Sequence, residues 1–175
     1  MREVAITAVG SDRPGIVAAL TGALLDVGGN LEDCRAALLR GSFAVVLVVS
    51  VPDEVDPERV RAALGPVAVE LGLGLWVGAA SGRASRTGGE RCVISVYGAD
   101  HPGIVHAVSA GLAERGANIV DLSSRLVGEP PVYVLGIEAE LPPGLSTAEL
   151  EAALRPLAAA QQVELHLEAE SDEVL

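Results

Sequence analysis

Residues 10–17 read Gly-Ser-Asp-Arg-Pro-Gly-Ile-Val, and the pattern returns at residues 98–105 as Gly-Ala-Asp-His-Pro-Gly-Ile-Val. Each copy follows a short run of alternating apolar residues and precedes apolar residues at helical spacing. Glycine and proline at such a junction predict a sharp turn from a strand into a helix. The second copy begins 88 residues after the first. The sequence therefore predicts a duplicated chain that is built around two equivalent turns.

Each turn is a candidate anion site. The first N–H groups of a helix have no intrahelical partner, and that end of the helix carries a partial positive charge. A carboxylate or phosphate can bind there when no side chain blocks the approach, and Gly15 and Gly103 leave it open. In the alternative interpretation, Asp12 and Asp100 cap the two helices and the Pro-Gly pairs serve the turn alone.

The charge balance excludes several classes of function. The chain has 12 arginines and no lysine against 24 acidic residues, which gives a net charge of −12. A protein that binds a nucleic-acid backbone needs a basic face, so we expect no direct contact with nucleic acid. Without lysine, Schiff-base, pyridoxal phosphate and P-loop chemistry are excluded. No serine, histidine and aspartate are spaced as a nucleophile, base and orienting group, so we expect no enzyme, cofactor or metal site.

The apolar residues predict two cores without membrane segments. Half of the residues are hydrophobic but only 2% are aromatic, so the cores are expected to consist of Val, Leu, Ile and Ala. The longest strongly apolar run, residues 44–51, is far shorter than the ~20 residues of a spanning helix. No N-terminal signal is visible, and we expect a cytoplasmic protein. Cys34 and Cys92 lack metal or redox spacing and are expected to be buried as small hydrophobes.

The order of elements in each half is predicted to be βαββαβ. Residues 1–79 and 91–170 are expected to form two domains, with a linker at 80–90 and an acidic tail at 171–175. Residues 31–39 are rich in helix formers, whereas the matching residues 119–127 alternate as a strand does. Because equivalent segments of a duplication share one fold, we predict a strand in both halves. The second helix of each half contains a proline, Pro66 or Pro156, which is expected to kink or divide it.

This pattern is a ferredoxin-like α+β sandwich in the α/β class, present twice, and that fold does not by itself name a function. The Asp-Arg/His-Pro-Gly-Ile-Val turn, followed by a Gly/Ala-Asn pair, is more specific. It resembles the ACT domain, a regulatory module that binds amino acids. A tandem of such domains over nearly the whole chain is similar to the glycine cleavage system transcriptional repressor group.

The resemblance implies where a ligand binds. In the family, amino acids bind between paired ACT domains, with the first loop and helix N-terminus of one domain and the second strand of its neighbour. The implied ligand-binding residues are Asp12, Arg13, Pro14, Gly15, Ile16 and Asn30 in the first copy, and Asp100, His101, Pro102, Gly103, Ile104 and Asn118 in the second.

The implied function is the sensing of a small amino acid by a homodimer that modulates a partner protein, in transcriptional control of amino-acid metabolism. The alternative is a structural oligomerisation module whose ligand loops are vestigial. The chemistry of the residues fits an amino acid, because an α-carboxylate suits a helix N-terminus and an asparagine amide can both donate and accept. An α-ammonium group would need a carboxylate, for which Asp33 and Asp121 are candidates.

Two further alternatives stay open at this point. Asn30 and Asn118 follow a glycine or alanine at a helix end, where they could be left-handed terminal residues instead of ligand contacts. His101 replaces Arg13 at the second turn and has a reference pKa of about 6.5. It either senses a bound anion or points into solvent.

Overall fold

A computed structural model describes residues 1–80 and 89–170 of the 175-residue chain. Most of the predicted linker, 81–88, and the whole predicted tail, 171–175, lie outside the described residues. The chain divides into two compact units whose boundary falls within residues 81–88, and the domain limits 1–79 and 91–170 stay predictions. In the described residues, no helix is both long enough and apolar enough to cross a membrane.

The first unit contains four strands and two helices in the predicted order. They are β1 (Arg2–Ser11), α1 (Ile16–Leu25), β2 (Asn30–Leu39), β3 (Ser42–Val51), α2 (Pro57–Leu71) and β4 (Gly74–Ala79). The strands form one antiparallel sheet in the order β2-β3-β1-β4.

The second unit repeats this arrangement. Its elements are β5 (Arg91–Gly98), α3 (Ile104–Ala113), β6 (Asn118–Val127), β7 (Val132–Glu140), α4 (Thr147–Ala160) and β8 (Val163–Ala169). Its antiparallel sheet has the order β6-β7-β5-β8, which is equivalent to the order in the first unit. The predicted doubled βαββαβ fold is therefore confirmed.

Each sheet has one face against its helices and one face away from them, which we call the open face. Alternate residues of β1, such as Ile6, are fully buried together with Leu20 of α1 and Leu64 of α2. Ile94 of β5 has the same position in the second core. Burial of one such aliphatic side chain stabilises the folded state by about 1.5–3 kcal/mol relative to its exposure. Each unit has its own apolar core, and that core stabilises it.

The segment at residues 31–39 is a strand, as its match with 119–127 predicts. It is an edge strand, and every one of its residues is exposed. Cys34 is therefore exposed, and the prediction that it is buried is wrong, because no helix covers that edge. Cys92 is buried as predicted. Its burial, with a smaller contribution from the Glu90 carboxylate, raises the pKa of its thiol to about 11.

The second helix of each unit runs through its proline. α2 contains Pro66 and α4 contains Pro156 without a break, so the prediction that these residues divide the helices is wrong. Proline removes the N–H that would bond the carbonyl four residues earlier, which belongs to Ala62 or Ala152. Both alanines are exposed, so water can reach that side of each helix.

Candidate functional site

The duplicated motif forms a strand-to-helix turn in both units, as predicted. Gly15 lies at the start of α1 with a φ of 94°, and Gly103 lies at the start of α3 with a φ of 106°. Side-chain-bearing residues rarely adopt positive φ, so the turn itself requires glycine at both positions. A Cβ on Gly15 would meet no atom within 4 Å, and one on Gly103 would meet only Gln161 Oε1 at 3.4 Å.

The N-termini of α1 and α3 are not capped by side chains. In the described part of the chain, no side chain accepts a capping hydrogen bond from the first N–H groups of either helix, and neither first turn contains an acidic residue. The interpretation that Asp12 and Asp100 cap these helices is therefore wrong. The backbone N–H of Asp12 instead donates to the carbonyl of Gly41 at 2.9 Å, which fixes the turn against the β2–β3 hairpin.

The other two helices begin differently. The Asp56 side chain accepts from the N–H of Arg59 at the start of α2, and Glu58 lies in the first turn. A reciprocal capping box of Ser146 and Glu149 closes the start of α4 and lowers the pKa of the Glu149 carboxyl. Within one chain, the helices outside the motif are thus capped and supplied with negative charge, whereas those at the motif are left open to an anion.

The residue before the proline in each motif reaches across to the end of the second helix. Arg13 Nη2 lies 3.9 Å from the position that a Cβ would take on Gly72. His101 places Nε2 at 2.7 Å from the carbonyl oxygen of Gln161 and Nδ1 at 3.1 Å from that of Pro102. The interpretation that His101 simply points into solvent is wrong, because its ring bridges two parts of the backbone.

This geometry favours the charged imidazolium of His101, since only that form can donate from both nitrogens. The carbonyl of Pro102, and then that of Gln161, raise the pKa of His101. Desolvation opposes them with a smaller effect, and the Asp100 carboxylate makes the smallest contribution in the raising direction. Because both ring nitrogens already face carbonyl oxygens, a ligand carboxylate would have to displace one of these contacts.

The two predicted asparagines lie far from the turns of their own units. Asn30 is the first residue of β2 and pairs with Ser50, whereas Ser11, next to the first turn, pairs with Ser42. Ser42 and Ser50 are eight residues apart on β3, which corresponds to about 27 Å along the sheet. Asn118 has the equivalent place in β6. Within one unit the predicted residues therefore form two groups and do not converge on a single site.

Asn30 and Asn118 are also not left-handed. The described residues with positive φ at these helix ends are Gly28 and Gly116, and each asparagine begins a strand. A β-bulge follows both asparagines, between Leu31 and Asp33 and at the equivalent place in β6. The bulge brings one additional side chain next to the asparagine.

In the first unit that additional side chain is Glu32. Its Oε1 accepts from the Asn30 amide at 3.0 Å and from the Ser50 hydroxyl, and these bonds lower the pKa of the Glu32 carboxyl, the Ser50 bond most. We call Asn30, Glu32 and Ser50 the Asn30 corner. Asp33, which the sequence suggested as a carboxylate for a ligand α-ammonium group, accepts through Oδ1 from the backbone N–H of Cys34 at 2.8 Å.

In the second unit the carboxylate belongs to a different strand. Val120 occupies the place of Glu32, and Glu140 occupies the place of Ser50, opposite Asn118 in the register of β6 and β7. Arg91 lies opposite Glu140 on β5. We call Asn118, Glu140 and Arg91 the Asn118 corner. An acidic residue at the end of the apolar strand β7 was the visible signal that could have identified Glu140.

Comparison with known proteins places this architecture in a family. The ACT domain family matches residues 2–77 and again residues 90–168. A UPF0237 protein of Methanopyrus kandleri is 35% identical over 78 residues, which are 44% of this chain and 87% of that protein. A structure of a protein of unknown function from Galdieria sulphuraria is 30% identical, with a TM-score of 0.84, over 97% of this chain and 99% of that one.

Two further relatives limit what can be transferred. A candidate glycine cleavage system transcriptional repressor superposes with a TM-score of 0.75 over 98% of both chains, and at 22% identity it shows the fold alone. A phosphoserine phosphatase of Mycobacterium tuberculosis is 28% identical over 94% of this chain, which spans only 40% of that enzyme. The chain belongs to the ACT domain family and consists of two ACT domains in tandem.

Proposed function

We propose that this protein is an amino-acid-sensing regulator, which binds a small amino acid between ACT domains and modulates a partner protein. The observation that carries the proposal is the contrast among the helix starts. α1 and α3 begin at open glycines without a cap or a first-turn acid, whereas α2 and α4 have both. An α-carboxylate is the group that such an open helix start stabilises.

The proposed site needs two ACT domains. The turn at Gly15 or Gly103 binds the ligand carboxylate, and an asparagine corner of another domain binds the rest of its polar groups. The separation of about 27 Å between turn and asparagine within one unit supports this arrangement, because a free amino acid cannot span it. The second domain comes from the same chain or from a second copy, and we propose a homodimer.

The partner in this proposal is a protein. A net charge of −12 opposes direct contact with a nucleic-acid backbone. Any control of transcription by this chain would thus run through the protein partner, which would respond to the ligand-bound form. The ligand would be drawn from the cytoplasmic pool of amino acids.

A thermal-shift screen of the twenty amino acids tests this proposal. A ligand at 100 times its Kd stabilises the native state by about 2.7 kcal/mol. A domain of 60–100 residues changes its Tm by roughly 4–8 °C per kcal/mol, so at least one amino acid should raise the Tm by about 10 °C or more. If no amino acid changes the Tm at 10 mM, the sensing function is wrong.

One observation favours the alternative of a structural interaction module. On the open face of the first unit, Thr7 of β1 lies opposite Val46 of β3 and Trp76 of β4. Val46 is 48% exposed and Trp76 is 55% exposed. The equivalent positions of the second unit hold residues that are smaller or polar, namely Ser95, Gly136 and His166. If Trp76→Ser converts a dimer into a monomer and the thermal-shift screen finds no ligand, the structural alternative is correct.

A further inference from the structure

The open face of the first sheet contains a patch without charged side chains. Ala5, Thr7 and Val9 of β1 alternate with the core residues of that strand, so their side chains lie on the open face together with those of their register partners in β3 and β4. We call these nine positions, which are Ala5, Thr7 and Val9 with their partners, the apolar patch. Thr7 is the only one of the nine that has a polar side chain.

The largest side chains of the apolar patch lie in solvent. Val9, Val46 and Trp76 are each about half exposed. Two ring atoms of Trp76 lie 2.7 Å from the position that a Cβ would take on Gly78, so the ring lies along β4 over that glycine. Single exposed hydrophobic residues are ordinary, but a contiguous group of them marks an interaction surface.

The second unit shows that the fold does not require this patch. Its nine equivalent positions include three carboxylates, those of Glu138, Glu164 and Glu168, and also His166. The two sheets have the same strand order, and each unit has its own core on the opposite face. The apolar residues of the first open face therefore serve something other than the stability of the sheet.

Charge favours a second copy of the same face as the occupant. A net charge of −12 makes two copies of the chain repel each other, and this repulsion is weakest where neither surface contains a charge. In a twofold contact the same surface of both copies meets itself, so an apolar patch meets an apolar patch. The open face of the second unit would instead bring carboxylates against carboxylates.

The size and the border of the face also fit a dimer interface. β1 and β3 each contain 10 residues. With a rise of ~3.4 Å per residue and ~4.8 Å between strands, the four-stranded face covers about 600 Å² in projection. Two copies would then bury about 1,200 Å², which reaches the range of stable interfaces. Asp33 and Arg35 of the edge strand β2 lie beside the patch and supply the polar rim of such an interface.

We propose that two copies of this chain form the homodimer through their apolar patches, sheet face against sheet face, with Trp76 as the central anchor. This inference rests on the homodimer of the proposed function and names the surface that forms it. It does not depend on the amino-acid ligand, so the two can fail separately. Tryptophan is the residue type that most often dominates the binding energy of an interface.

Trp76 reports directly on this interface because it is the only tryptophan of the chain. The full chain is diluted stepwise, while sedimentation measures its mass and fluorescence measures the emission of Trp76. As the dimer dissociates, the emission should shift to the red and become more sensitive to quenching by acrylamide. A dimer in which acrylamide quenches Trp76 as strongly as in the monomer overturns the proposal, because another surface, such as the edge strand β2, then forms the dimer.

Two substitutions test the patch independently of that signal. Trp76→Ser should raise the Kd of the dimer at least about thirtyfold, as the loss of an interface anchor does. Val46→Glu should raise it at least as much, because a twofold contact receives a buried carboxylate from each copy. His166→Ser and Gly136→Glu are the matched controls at the equivalent positions of the second unit, and each should change the Kd by less than about twofold.

The outcomes separate this interface from the proposed function. If Trp76→Ser and Val46→Glu dimerise as tightly as wild type, or if the controls weaken the dimer equally, the interface is wrong while the homodimer stands. If wild type is a monomer at every concentration, the homodimer and the interface both fail. Amino-acid sensing is decided by the thermal-shift screen in either case.

Discussion

Replacing Gly15 by alanine separates the structural from the ligand-binding role of the first turn. Gly15 has φ and ψ of 94° and −7°, and an added Cβ would find open space. The substitution therefore causes local backbone strain without a clash. A left-handed conformation costs an L-residue about 1–2 kcal/mol. Alanine also has less conformational freedom than glycine in the unfolded chain, which favours the folded state and offsets part of that cost. We expect a net loss of about 1 kcal/mol.

That loss corresponds to a decrease in Tm of roughly 4–8 °C for a domain of this size, which leaves the protein folded at 25 °C. The added methyl group stands where an anion would approach the N–H groups of α1. The affinity for the amino acid should therefore fall more than the stability does. Differential scanning calorimetry measures the first effect, and titration calorimetry at 25 °C measures the second.

Gly144→Ala is the matched control. Gly144 has a φ of 87°, and a Cβ there would also meet no atom within 4 Å, but it lies in the β7–α4 loop away from either motif. It should lose a similar amount of stability with no change in affinity. If Gly15→Ala lowers the Tm as the control does and binds the amino acid with wild-type affinity, the turn needs glycine for its backbone only.

Three other predictions follow from the described contacts. The raised pKa of folded His101 means that its contribution to stability is fully present below the unfolded pKa of about 6.5 and is lost as pH rises through the folded pKa. The stability advantage of wild type over His101→Asn should thus shrink between pH 6 and pH 8.5 in urea titrations, and a constant difference would contradict the two carbonyl contacts. Asp56→Ala should cost about 1 kcal/mol by removing the cap of α2, which calorimetry can check. A maleimide should label Cys34 rapidly in the native protein and Cys92 only after unfolding, and early labelling of Cys92 would contradict its burial.

The sequence was sufficient for most of the fold because of the duplication. Residues 31–39 favour helix by composition, and only their match with the alternating residues 119–127 indicates a strand. The sequence was misleading at Cys34, where the strand is at an edge that no helix covers. It was also misleading at Pro66, where the carbonyl that loses its hydrogen bond lies on the exposed side of the helix.

The candidate site was harder to predict than the fold. The turns follow from glycine and proline chemistry, but the position of Asn30 depends on strand register, which places it at the other end of the sheet. The bulge after Asn30 exchanges Glu32 for Asp33 as the neighbouring carboxylate, and sequence alternation alone does not show such a bulge. The contacts of His101 with Gln161 join residues 60 positions apart, beyond the reach of local patterns.

The most direct test of amino-acid sensing is a nuclear magnetic resonance titration of the 15N-labelled chain with the amino acid that gives the largest thermal shift. Binding at the open helix starts predicts saturable shifts of the backbone amides of Ile16 or Ile104, together with the side-chain amide of Asn30 or Asn118. Shifts confined to Val46, Trp76 and their neighbours on the open face of the first unit, or no saturable shifts at all, would contradict it.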